Sequence, residues 1–181
     1  MGTHDINNYS STYQKIRSKA WVYHENYTGG TEADIGVILL ERDILYNDDV
    51  HQAILYNGND IFADKGVTGC GWGYHNTSNT ASTILYCMDA VTITNARCGS
   101  FYGGPVRSNF ICAQGKNHSR TCTGDSGSAL VFKENYKSSY IVIGVLSFGP
   151  GSCIEGPVVY NRVPTYYDWI VNKIQNLSTY Y

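Results

Sequence analysis

Ser126 lies between glycines in the run Cys122-Thr123-Gly124-Asp125-Ser126-Gly127-Ser128-Ala129-Leu130, where a polar turn passes into an apolar stretch. Glycines at such a place let the backbone turn tightly, expose the hydroxyl and aim the amides of Gly124 and Ser126 at one point. A nucleophilic oxygen beside two convergent N–H donors is the equipment of acyl transfer. The plain alternative is a turn that merely starts a strand, and context must decide between them. A second carboxylate, Asp34, opens the run Ile35-Gly36-Val37-Ile38-Leu39-Leu40 and reads either as a functional acid or as a solvated residue at a strand start.

The 181 residues are 43% hydrophobic and 15% charged, with 19 Gly and only 4 Pro, so the chain reads as one ordinary globular domain over residues 1–181. Thirteen Lys and Arg against fifteen Asp and Glu supply no basic field for nucleic acid or an anionic membrane. The longest apolar stretches fall far short of the roughly 20 residues that a spanning helix needs. No carboxylate cluster suggests calcium, and no cofactor or metal is expected. Six cysteines, at 70, 87, 98, 112, 122 and 153, contain no Cys-x-x-Cys pair, which favours disulfides and an oxidising, extracellular setting. Sequons at Asn8, Asn26, Asn76, Asn117 and Asn176 agree with secretion, although the polar start shows no signal peptide.

Short apolar runs recur between Gly, Asn, Asp and Ser clusters: 36–40, 51–56, 84–86, 90–93, 128–132 and 140–148. Many of these residues are β-branched or aromatic, and 16 Tyr add to the strand preference, so the pattern is all-β, a barrel or sandwich. The exception is the C-terminus. There Trp169, Ile170, Lys173, Ile174 and Leu177 follow helical spacing after Pro164, with Thr165 as the expected N-cap and the helix packed on the β core.

With these elements in place, the chain resembles the chymotrypsin/trypsin family of secreted serine endopeptidases along nearly its whole length. The resemblance rests on the Gly-Asp-Ser-Gly run, on 33–40, on Gly71-Trp72-Gly73, on Leu146-Ser147-Phe148-Gly149, and on Val159-Tyr160-Asn161-Arg162-Val163 followed by Trp169-Ile170. Cys70 near Gly-Trp-Gly, with Tyr86-Cys87, is most similar to digestive members from arthropods. The resemblance implies a chymotrypsin-like double β-barrel with a C-terminal helix, its first barrel incomplete. It also implies that Ser126 is the nucleophile, Gly124 and Ser126 the oxyanion donors, and Asp34 the acid that orients a histidine. Ser147 would support Asp34, and the 147–149 backbone would hold substrate as an added strand. The implied disulfides are Cys98 with Cys112, Cys122 with Cys153, and Cys70 with Cys87, one of the 15 connectivities that six cysteines allow.

The family's Ala-Ala-His-Cys segment has no counterpart, because the chain contains no His-Cys pair. Neither His4 nor His24, the two histidines before Asp34, is expected to replace it, and His51, His75 and His118 still less. The chain therefore reads as a peptidase domain without its N-terminal part, weak or inactive in this form, or else as a non-catalytic homologue that binds peptides or proteases. The family's N-terminal amine, which pairs with the Asp at the position of Asp125, is also missing. Asp125 would then carry an unpaired charge and leave the oxyanion hole collapsed. Counting back from Ser126, Arg120 falls at the floor of the primary specificity pocket and Val158 on its wall. Three outcomes stay open: Arg120 recruits an acidic side chain, Arg120 and Val158 block the pocket, or Arg120 turns to solvent and leaves the pocket small. The implied partners are peptide or protein substrates and protease inhibitors, met by a secreted monomer.

Overall fold

The structure is a computed structural model and describes residues 1–74, 80–117, 119–135, 138–153 and 155–180. His75, His118 and the sequon at Asn76 lie outside the described residues. Contacts divide the chain into two compact units, Met1–Gln52 with Tyr166–Tyr181, and Ala53–Thr165.

In the first unit β1 (Ser18–Tyr23) pairs antiparallel with β2 (Gly36–Leu40) in a two-stranded sheet that does not close. Alternation decides its faces. Ala20 is buried, whereas Trp21, Tyr23 and Ile38 point outward, Trp21 directly opposite Ile38. Ahead of β1, the buried Gln14 satisfies its amide on Leu45 alone, donating to the Leu45 carbonyl at 2.7 Å and accepting from the Leu45 N–H at 2.9 Å.

The second unit holds β3 (Ile54–Leu55), β4 (Gly66–Gly71), β5 (Tyr86–Ile93), α1 (Asn95–Tyr102), β6 (Phe110–Gly115), β7 (Ala129–Phe132), β8 (Ile141–Phe148), a 3-10 turn (Gly151–Cys153) and β9 (Pro157–Arg162). The strands run in the order β8-β7-β4-β5-β6-β9, and β9 pairs back onto β8, so six strands close into a barrel, with β3 added parallel to the start of β8. Inward residues from each of the six strands fill it: Val67, Met88, Ile111, Leu130, Ile143 and Tyr160 are all buried. Gly144 is demanded by that packing, since a Cβ there would lie 2.8 Å from the Tyr160 Cβ and 3.3 Å from that of Leu130. The chain thus has the all-β, double-barrel architecture with a C-terminal helix, one sheet incompletely closed.

Two local differences from the sequence reading have physical causes. Helix α1 was not expected from Asn-Ala-Arg-Cys-Gly-Ser-Phe-Tyr, a weak helix former. It is held from outside: Thr94 caps it by accepting from the Arg97 N–H, Gly103 ends it at φ 71°, and Cys98 is bonded to Cys112 of β6. The C-terminal helix α2 (Val163–Tyr180) starts two residues before the expected cap, so Thr165 lies inside it. Pro164 fits the first turn because its missing N–H would have no intrahelical partner there. Val163, Tyr166 and Ile170 are buried, while Ile174, expected on the apolar face, is exposed.

Candidate active site

The turn that carries Ser126 is fixed to β8 on its C-terminal side. Gly127 N–H donates to the Leu146 carbonyl and Leu146 N–H donates to the Ser128 carbonyl, each at 2.9 Å. Gly124 and Gly127 have φ of +96° and +83°, a region that side chains disfavour, which is the reason glycine flanks this serine. Ser126 is exposed, and among the described residues neither its amide nor that of Gly124 donates to a protein acceptor.

Asp125 is not the unpaired charge that the sequence suggested. Its carboxylate accepts from two backbone amides, Gly73 N–H at 2.8 Å and Cys122 N–H at 2.9 Å. Two charge-assisted bonds to oriented amides compensate a carboxylate without any ammonium. The approach explains the Gly-Trp-Gly run: a Cβ on Gly71 or Gly73 would collide with the Asp125 carboxylate. Beneath it, the buried Tyr160 hydroxyl has no hydrogen-bond partner among the described residues, and burial, then the charge of Asp125, push its pKa upward. These partners of Asp125 were missed because backbone amides carry no residue-type signal; the paired glycines were the trace they left.

Beside Ser126 opens a cavity of about 230 Å³, walled by Thr121 to Thr123 on one side and by Leu146 to Gly151 on the other. Ser147, Phe148 and Gly149 all line it, and the Cys122–Cys153 disulfide joins its two walls. The other bonds join Cys70 to Cys87 across β4 and β5, and Cys98 to Cys112. Arg120 does not line this cavity. It is exposed and lines a separate cavity of about 240 Å³ that also contains Asp125. Val158 is buried, its two γ-methyls 3.9 Å from where a Gly149 Cβ would stand.

Asp34 belongs to the first unit, half-buried just before β2 and preceded by Ala33 at φ 49°. In the same unit His24 is a packing residue. Its ring lies 4.9 Å from Trp169 and 5.4 Å from Tyr166 of α2, and its Nδ1 accepts from the Asn26 N–H at 3.2 Å. Beside it Glu25 accepts from the Trp169 indole N–H at 2.7 Å and pairs with Lys173. His51 meets the Asp48 carbonyl and is exposed, as is His4. Among the described residues no group of three His, Cys, Asp or Glu could hold a metal, and no helix is long and apolar enough to cross a membrane.

The Glu25 contacts have a pH consequence. Lys173 foremost, then its own backbone and the Trp169 indole, lower the Glu25 pKa from 4.5 to about 2. A depressed carboxyl pKa stabilises the fold fully above the unfolded value, and that contribution is lost as pH falls through the folded one. The Trp169 indole N–H resonance is therefore expected to shift between pH 4.5 and 2. Glu25→Gln should abolish that shift, and 1 M salt should shrink it, because the pair is solvent-exposed. A shift that persists in Glu25→Gln would assign it to another acid.

A profile of the family described as Trypsin matches residues 1–170. Trypsin of Xenopus laevis is 33% identical over 186 residues, covering 96% of this chain and 70% of that protein. CLIP domain-containing serine protease HP8 of Bombyx mori is 30% identical over 178 residues, covering 92% of this chain and 48% of that protein. Arthropod and vertebrate proteins are mixed among the matches. Neuropsin, a serine protease expressed in the limbic system of mouse brain, superposes with a TM-score of 0.83 at 23% identity, over 96% of this chain and 77% of that one, which shows a shared fold. The chain spans about half the length of the curated relatives it matches.

Proposed function

The chain belongs to the trypsin family, and from that premise we propose that it carries the nucleophile, oxyanion donors and substrate strand of a secreted serine endopeptidase. The mixed relatives support that family-level reading and not a digestive arthropod subtype. The observation behind it is the exposed Ser126 with two amides unclaimed among the described residues, beside a cavity sized for a side chain. In the proposed reaction the 147–149 backbone pairs with substrate and lays its scissile carbonyl on Ser126. Oγ adds to the carbonyl carbon while its proton passes to a histidine oriented by Asp34, and the amides of Gly124 and Ser126 hold the oxyanion. Collapse breaks the C–N bond, the leaving amine takes the proton, and water then releases the acyl group by the same steps.

The 181 residues contain no His-Cys pair to supply that base. The hydroxyl by itself is a weak nucleophile at neutral pH, so the isolated chain retains only what binding and oxyanion stabilisation give. The missing base also motivates the second reading, a non-catalytic homologue that holds peptides or protease inhibitors as a decoy.

A fluorophosphonate probe separates the two. Protein purified from its natural source is expected to be labelled on Ser126, the isolated 181-residue chain at least about a hundredfold more slowly, and Ser126→Ala not at all. Absence of labelling in the natural protein would leave the decoy reading standing.

A further inference from the structure

We propose that the cavity between the ends of β5 and β9 and the loop after β3 binds a small organic monocarboxylate with an apolar body, held through Arg162. This site lies wholly within the second unit, shares no residue with the cavity beside Ser126, and stands independently of the endopeptidase reading.

The cavity has a volume of about 530 Å³, within the range of roughly 300–1,000 Å³ typical of small-molecule sites. Much of its wall is hydrocarbon. Ile93 is buried at the end of β5, Ala63 and Val106 are half-buried, and Ile61 is left exposed. An apolar body lying against them removes that surface from water. Arg162, the last residue of β9, is the one cation among the lining residues. Carbonyls alone hold its guanidinium: Nε donates to Ser108 at 3.0 Å and to Phe110 at 3.1 Å, Nη2 to Phe110 at 2.9 Å, and Nη1 to Ile61 at 3.1 Å. A guanidinium has N–H groups to spare beyond these, and they have no acceptor among the described residues.

Carbonyls orient this cation but do not neutralise it. Asp60, the one carboxylate in the wall, instead accepts from the Phe62 N–H at 2.7 Å and forms no ion pair with Arg162. Burial lowers the Arg162 pKa, and no neighbouring acid opposes that shift. The side chain is therefore a partly desolvated charge, fixed in position and lacking its counter-ion. A carboxylate matches the free N–H groups of a guanidinium and cancels its charge. A dianion would bring a second charge that has no cation to meet and that Asp60 repels. The first turns of α1 and α2, whose Asn95 and Thr165 border the cavity, contain no acid that would compete with the ligand.

The test titrates the ¹⁵N-labelled 181-residue chain with hexanoate, 1-hexanol, hexylammonium and inorganic phosphate, and reads affinity from the backbone amide shifts of Ile61, Asn95 and Thr165. Hexanoate is expected to move these amides at concentrations at least about tenfold lower than the other three, because only it joins an apolar body to the charge-assisted bonds. Arg162→Lys keeps the charge but loses the planar fork, and should weaken hexanoate by about tenfold. Arg162 also ties three carbonyls together, so a second variant leaves that packing intact. Thr165 is exposed in the first turn of α2, where an acid is tolerated. Thr165→Glu should weaken hexanoate by about tenfold through repulsion, while Thr165→Gln should leave it within about twofold. Hexanol or hexylammonium binding as tightly as hexanoate, tighter binding of phosphate, equal affinities in Thr165→Glu and Thr165→Gln, or no shift at these amides from any of the four overturns the inference. Labelling of Ser126 by the fluorophosphonate probe is unaffected by any of these results.

Discussion

Asp125→Ala is expected to lower the melting temperature by about 6–12 °C and to release the turn that presents Ser126. The carboxylate accepts from Gly73 and from Cys122, and so ties the turn to the Gly71-Trp72-Gly73 segment and to its own start. Hydrogen bonds to a charged group contribute roughly 1.5–3 kcal/mol each, and some solvent reaches this half-buried site, so about 3 kcal/mol is lost in all. For a chain of this size each kcal/mol moves the midpoint by about 2–4 °C. Asp125→Asn keeps one acceptor and should lose about half as much. Gly73→Ala attacks the same lock from the other side, because its Cβ would stand 2.6 Å from the Asp125 Oδ1 and 2.7 Å from the Thr123 carbonyl oxygen. The two effects should be strongly non-additive, since either change alone breaks the contact. Thermal unfolding followed by circular dichroism gives the midpoints, and hydrogen exchange at the Asp125 and Ser128 amides, which donate to the Cys122 and Asp125 carbonyls, reports the turn. A midpoint within about 2 °C of the parent for Asp125→Ala would mean that the turn is held by its β8 bonds alone.

That lock shows where the sequence was informative and where it was silent. The glycines around Ser126 were legible as a turn signal because a tight turn that exposes a serine calls for positive φ nearby, and φ at Gly124 and Gly127 meets that need. Strands β7 and β8 were legible through their β-branched and apolar residues. Strand β4, Gly-Val-Thr-Gly-Cys-Gly, was not, because glycine weakens strand preference; it is tolerated where Asp125 approaches Gly71 and the Tyr160 hydroxyl would lie 3.1 Å from a Cβ on Gly69. Helix α1 escaped notice because a cap and a disulfide hold it, not its own propensity. Arg120 illustrates another limit. Counting from Ser126 fixes its place along the chain, but its direction depends on which of two adjoining cavities the backbone opens toward, and spacing does not encode that.

The Cys122–Cys153 disulfide should matter more than the other two, for stability and for the site together. In the chain-entropy description a cross-link over 31 residues restricts the unfolded chain by about 3.7 kcal/mol, against about 3 kcal/mol for separations of 14 and 17. The double variant Cys122→Ser with Cys153→Ser is therefore expected to unfold roughly 7–15 °C lower. The energetic difference between bridges is small, and position decides the rest. Cys122 donates its amide to Asp125 and lies in one wall of the Ser126 cavity, while Cys153 ends the 3-10 turn that follows the other wall. Without the bond, two loops that form one cavity are joined only through the barrel. Peptide affinity, measured well below every midpoint, should fall at least about tenfold in this variant, because each binding event must then order both walls. Cys98→Ser with Cys112→Ser makes the control: it should lose comparable stability through α1 and β6 yet keep its affinity, since neither residue borders the cavity. Equal losses of affinity in the two variants would show that the cavity senses global stability, and that the Cys122–Cys153 bond does not shape it locally.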